Sequence, residues 1–232
     1  MKRVILLIAI LALVSAQKIF SQTVLLEADR GSDTLSQTFG ENLKHFSHAF
    51  LAVGFVFGET GKELPVMASY EFRAGIKVKR KVTPVYSFGY DFFYRAVNYY
   101  ISQDAEKKYP DTLKHKSQKY NFFSFGLGLY NRFNFDPQRG NFLGTYMDMG
   151  ITGEWDFNVR TVTRDVLPGD EKIRVVAKNF DYVNSFSSRV FLRGGKSRVL
   201  VYGSYRITDH FKASSGFPEL PRFIAGVEVN VF

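Results

Sequence analysis

One face of nearly every extended segment in this chain is free of charge, and the other face holds the charges together with the glycines. In ASYEFRAGIKVKR, residues 68–80, Ala68, Tyr70, Phe72, Ala74, Ile76 and Val78 alternate with Ser69, Glu71, Arg73, Gly75, Lys77 and Lys79. A period of two marks a strand with two chemically different faces. A soluble sandwich would bury the apolar face, whereas a membrane barrel would turn it toward lipid and enclose the charges. The class of function depends on which face is inside.

The alternation runs through eight segments, at about residues 45–58, 66–80, 83–96, 118–134, 142–163, 172–193, 197–209 and 222–232. Their apolar faces include Leu51 and Val53, Phe88 and Phe92, Phe125 and Leu127, then Leu143, Ile151, Trp155 and Val159, then Phe180, Tyr182 and Phe186, and finally Val227 and Val229. The opposite faces carry Glu71, Arg73, Lys77, Lys79, Asp91, Arg95, Arg132, Asp148, Glu154, Asp156, Arg160, Asp181, Arg189, Arg193, Arg206 and Glu228, interspersed with Gly75, Gly89, Gly126, Gly128 and Gly150, while Gly153 and Gly203 are exceptions on the apolar parity. Glycine weakens a strand, and a solvated surface gains nothing from it. A narrow closed interior needs small residues where bulky neighbours and paired ions must fit. An eight-stranded barrel has an interior just wide enough for side chains to fill it, so the large apolar set must face outward. The expected fold is all-β, an eight-stranded antiparallel up-and-down transmembrane β-barrel. The soluble alternative is a sandwich that buries its two apolar faces against each other.

Enclosed charges must compensate one another. The expected lumen network comprises Glu71, Arg73, Asp91, Arg132, Asp148, Glu154, Asp156, Arg189, Arg206 and Glu228, with Glu71, Asp91, Asp148, Glu154 and Asp156 matched to Arg73, Arg132, Arg189 and Arg206. With so many basic groups turned inward, the net charge of +9 is no footprint for nucleic acid, and no such partner is expected.

At the start of the chain, Lys2 and Arg3 precede the apolar run VILLIAILALV and the small residues Ser15 and Ala16. This is the pattern of a secretory signal, with cleavage expected after residue 16 or 22. The expected organisation is a signal peptide over 1–22, a periplasmic tether over 23–44 and a barrel over 45–232. The chain has no Cys, so disulfides and thiolate chemistry are excluded. No later apolar run is long enough for a helical span, so insertion would have to use strands. Short connections near Val82 and Thr83, at DPQRGN and at Gly194-Gly195 alternate with the longer ETGKELP, NYYISQDAEKKYPDTLKHKS, VLPGD and DHFKASSGFPELP. Such sorting matches the periplasmic and extracellular ends of an outer-membrane barrel.

Through dyad alternation, strand number, loop asymmetry and the closing segment FIAGVEVNVF, residues 45–232 resemble the small outer-membrane β-barrels of the OmpA/OmpX-like and Bacteroidota PorT-like kind. KIFSQ is similar to the end of signal sequences in exported proteins of that phylum. The resemblance implies an outer-membrane location, contact with outer-membrane lipids and insertion by the barrel-assembly machinery, for which the terminal Phe232 looks like the signal. Phe232 falls on the parity of Glu228 and Asn230 rather than that of Val229.

His45-Phe46-Ser47 resembles the His-x-Ser element of lipid A deacylases, but it lies at the periplasmic start of the first strand, the wrong leaflet for that substrate. His210 with Ser214 or Ser215 sits in the last long loop, on the better side. The row Asp148, Glu154, Asp156 could hold a cation or do acid–base work, yet in a filled lumen these carboxylates are expected to pair with arginines. No catalytic, cofactor or metal site is therefore expected. Lys107, Lys108, Lys114 and Lys116 are the candidate contacts for lipopolysaccharide or a surface partner, against the plainer reading of a solvated mixed-charge loop. Residues at about 157–181 should project as a hairpin whose edges invite strand addition. The expected role is structural or interactive and non-enzymatic. The alternatives are a lipid A-modifying barrel enzyme and a soluble periplasmic sandwich or lipocalin-like binder.

Overall fold

The computed structural model describes residues 40–57, 69–103, 107, 113–136, 143–166, 171–178 and 180–231. The expected signal peptide, most of the tether, ETGKELP and Phe232 lie outside the described residues. The strands are β1 (His45–Phe57), β2 (Tyr70–Lys81), β3 (Tyr86–Ile101), β4 (Ser117–Asn134), β5 (Thr145–Val166), β6 (Lys172–Lys178), β7 (Phe186–Lys196), β8 (Val199–Arg206) and β9 (Phe223–Val231). Their order is β4-β3-β2-β1-β9-β8-β7-β5, and β4 also pairs with β5, so eight antiparallel strands close into a barrel. β6 stands outside the ring, paired only to the far end of β5. Among the described residues no helix is long and apolar enough to cross a membrane.

The two strand faces separate as their chemistry demands. Phe88, Leu127 and Ile151 are 42%, 55% and 48% exposed, while Arg73 and Asp148 are 6% and 0% exposed. Inward glycines make this arrangement fit: a Cβ on Gly126 would strike the Phe93 ring, and one on Gly128 would strike the Asp91 carboxylate. Gly153, on the outer face, has nothing within 4 Å of that position.

The structure corrects the expected wall in four places. The register of β4 on β5 shifts between Phe123 and Ser124, which face Asn158 and Asp156 respectively, so one residue of β5 is extra. This bulge reverses the parity of everything beyond it. Val159 now packs inward, and Arg160, expected in the lumen, lies on the outer face over the Phe123 ring. The expected sixth strand is two strands, because Phe180, Tyr182 and Val183 leave the wall to bury themselves with Phe211 and Phe217 in the barrel mouth. Asp181 is consequently exposed rather than enclosed.

The last two corrections concern the opposite end. The β7–β8 turn is Ser197-Arg198, not Gly194-Gly195, and Ser197 takes a φ of 53°. Gly195 remains in β7, where a Cβ would run into the Val199 carbonyl and Leu200. Leu143 is buried with Tyr146 and Leu200 rather than facing outward.

If space inside the ring is what the glycines supply, Gly126→Ala should cost about 1–3 kcal/mol through overpacking. Gly153→Ala should be neutral or stabilising by up to about 1 kcal/mol, because it only restricts the unfolded chain. The urea midpoint of the folded barrel in detergent micelles measures both, and a larger loss at Gly153 would contradict the packing assignment.

Candidate functional site

The lumen is organised in layers. Nearest the end with the short turns, Arg132 on β4 grips Asp148 on β5 with two parallel bonds, Nε to Oδ1 at 2.6 Å and Nη2 to Oδ2 at 2.9 Å. Arg193 on β7 donates from Nε to Asp148 Oδ2 at 2.8 Å and from Nη1 to Asp91 Oδ2 at 2.9 Å, and its Nη1 lies 3.7 Å from Glu228. Lys77 pairs with Glu228 and reaches Asn230 Oδ1 at 3.3 Å. Aromatic faces insulate these ions: Arg132 lies 3.9 Å from the Tyr146 centroid, Arg193 4.6 Å from Tyr130, and Lys77 4.5 Å from Phe50.

A second layer centres on Glu71 and Glu154. Arg95 pairs with Glu71 and, through Nη1, with Glu154 at 3.2 Å, so one guanidinium ties two carboxylates. Arg73 approaches Glu71 at 3.2 Å, Arg189 donates to Glu154 at 3.0 Å, and the Tyr202 hydroxyl donates to Glu71 at 3.0 Å. The sheet register brings these side chains together, since Glu71, Arg95, Glu154 and Arg189 project inward from β2, β3, β5 and β7.

Two of the expected members lie elsewhere. Arg206 reaches upward out of the network to Glu219 at 2.6 Å and to the Leu220 carbonyl at 2.7 Å, pinning the 207–222 loop across the mouth. Among the described residues Asp156 forms no salt bridge with an arginine; the Ser124 hydroxyl donates to it, and His210 Nδ1 lies 3.6 Å away. Burial, reinforced by Arg206 and Arg189, holds the His210 imidazole well below its usual pKa, so it is neutral. Above it, Tyr99, Tyr120, Phe122, Phe211 and Leu220 form an apolar cap. At the other end, Lys79 and Lys81 donate to the carbonyls of Glu41 and Asn42, drawing residues 40–44 over the opening.

The remaining candidates do not converge on a reaction centre. His45 and Ser47 lie on the outer face of β1. The His210 ring stacks 4.4 Å from Phe122, and the Ser215 hydroxyl donates to the Lys212 carbonyl at 2.7 Å. Asp148, Glu154 and Asp156 each serve different partners. Lys107 is buried and donates to the Leu113 carbonyl, which withdraws it from any surface contact. Lys114 and Lys116 are exposed, and Lys108 lies outside the described residues.

Three lumen groups were not among the expected pairings: Arg95, Arg193 and Lys77. Parity puts all three inside, but the choice of partner requires the register between strands, which alternation alone does not supply. Compared with known proteins, the chain matches no protein-family model and no curated protein sequence.

A buried pair should be costly to halve and cheaper to remove whole. Lys77→Met and Glu228→Gln should each destabilise by about 3–5 kcal/mol, with the double variant well short of their sum. A double-mutant cycle on urea unfolding reads the coupling, and additive losses would show that the two groups do not act as a pair.

Proposed function

We propose that this chain is an integral outer-membrane β-barrel of the small OmpA/OmpX-like or PorT-like kind. In this reading it is non-enzymatic, with a filled lumen, and acts structurally or as an interaction protein at the cell surface. One observation carries the reading: the closed ring presents its uncharged aromatic and aliphatic face outward while its ion pairs are buried. Water penalises that outer surface and lipid does not. The two-sheet sandwich does not describe the closed ring of pairings, and a soluble lipocalin-like barrel would carry its apolar set inside.

The filled lumen supports a role other than bulk transport. Ion pairs occupy its middle, the apolar cap closes the loop end, and residues 40–44 cover the other. A surface role would fall to the loops and to the β5–β6 hairpin. β6 is exposed along its whole length, and among the described residues its second edge is unpaired, an invitation to strand addition by a protein partner. His115 Nδ1 and the Lys116 backbone N–H both donate to Asp165, at 2.8 and 3.1 Å, so the long loop is clipped to the side of this hairpin.

Membrane fractionation followed by electrophoresis with and without boiling tests the reading. The protein should sediment with outer membranes, resist extraction by alkaline carbonate and migrate faster unboiled. Recovery in the soluble fraction would remove the reading.

A further inference from the structure

The bulge that turns Arg160 outward creates a surface that the alternation before it gives no reason to expect. Beyond Phe123 the wall continues, with β3 alongside β4 as far as Ile101, and the outward residues of β4, β5 and β6 pair in rows: Asn121 with Arg160 and Lys178, Lys119 with Val162 and Val176, and Ser117 with Arg164 and Arg174. Five cations thus share one face, and none forms an ion pair with a carboxylate among the described residues. The nearby Asp165 has the opposite parity and is taken by His115 and Lys116. Val162, in the middle row, is buried. Burial, then repulsion from Arg164, Arg174 and Arg160, holds the Lys119 ammonium below its ordinary pKa, as expected where cations crowd together without a counter-ion.

Directly below lies an aromatic cluster on the same outer face. Phe125 stacks on Phe157 at 4.9 Å and on Phe92 at 6.0 Å, with Tyr94 and Trp155 beside them. Arg160 joins the two zones: its guanidinium lies 4.6 Å from the Phe123 centroid, and its Nε is buried without a hydrogen-bond partner. At about 3.3 Å per residue along a strand, the basic rows begin within about 7 Å of Phe123 and end about 20 Å from it, less when the strands are tilted. An occupant must therefore set anionic groups immediately beside an apolar surface.

We propose that this outward face of β4, β5 and β6 binds the phosphate groups of an outer-leaflet glycolipid of the lipid A class, with the acyl chains lying against Phe125, Phe157 and Trp155. The proposal rests on the membrane reading above. It moves the lipid contact from the lysines of the long loop to a surface formed by the strands. An acidic protein or a nucleic acid would satisfy the cations but leave the adjoining aromatics without a partner. A lipid with an anionic headgroup covers both.

The test uses the full-length protein, purified from membranes in detergent, and native mass spectrometry with bis-phosphorylated lipid A or its dephosphorylated counterpart. The wild type should prefer the phosphorylated form by about three orders of magnitude, since each of the five basic groups at an anionic surface contributes about fivefold. Combining Arg160→Gln, Arg164→Gln, Arg174→Gln and Lys178→Gln should cut the preference to about the fivefold that Lys119 alone supplies, while the protein remains heat-modifiable in gels. Lys114→Gln with Lys116→Gln should leave it unchanged. If the fourfold variant does not fold, the exposed Arg164→Gln and Arg174→Gln singly should each weaken retention about fivefold. Equal retention of both lipids by a membrane-bound wild type, or full retention by the variants, would overturn this site alone. A wild type found free in the soluble fraction would overturn the membrane reading with it.

Discussion

Inside a ring of eight strands there is little room for water to solvate a charge, so the ions in the middle of the lumen find their counter-ions among neighbours fixed by sheet register. Asp148 shows the consequence most clearly. It accepts from Arg132 on the adjoining strand and from Arg193 on the other side, and Arg193 carries the connection on to Asp91 and Glu228. Strands β3, β4, β5, β7 and β9 are thereby joined across the lumen as well as along the ladder. The tyrosine and phenylalanine faces around these ions keep the pairs in a low-dielectric setting, and the glycines opposite provide the room. An apolar filling of equal volume would be as stable or more so, but it would leave nothing to distinguish the inner face from the outer one.

The bulge in β5 has effects out of proportion to its size. One extra residue in β5 exchanges the two faces above it: Val159 enters the apolar cap and Arg160 leaves the lumen. The wall there changes from a lipid-compatible surface to a basic one, at the level where β6 takes over from β7 as the partner of β5. The mouth below is closed by two segments that leave the wall, 180–185 and 207–222, knitted by Asn184 Nδ2 to the Asp209 carbonyl at 3.0 Å and by Arg206 to Glu219. Barrel, cap and hairpin thus follow from one change of parity and one break in pairing.

The legible part of this architecture was the part with a period of two. Alternation was enough to assign inner and outer faces along the regular wall, as at Leu51, Leu127 and Val229, because a strand offers its residues only two directions. It could not foresee the bulge, since NVRTVTR remains a plausible strand in either parity and the shift exists only relative to β4. Nor could it foresee that Phe180 and Tyr182 would leave the wall: their aromatic surface suits lipid and cap equally, and the cap becomes available only once Phe211 and Phe217 are folded over the mouth. Arg206 and Asp156 were misassigned for a related reason. Both have the correct parity, but they stand near the rim, where a loop residue, Glu219, and a wall residue, Ser124, reach them before the lumen ions do.

Everything outside the lumen depends on whether the aromatic face meets acyl chains. The chain has one tryptophan, Trp155, and it stands 49% exposed on that face beside Phe157. Its fluorescence in bilayers of acyl-brominated lipid is therefore the most direct measurement. The account predicts strong quenching by bromines on the acyl chains and little by aqueous iodide. Quenching by iodide with no response to brominated lipid would place this face in water and contradict it.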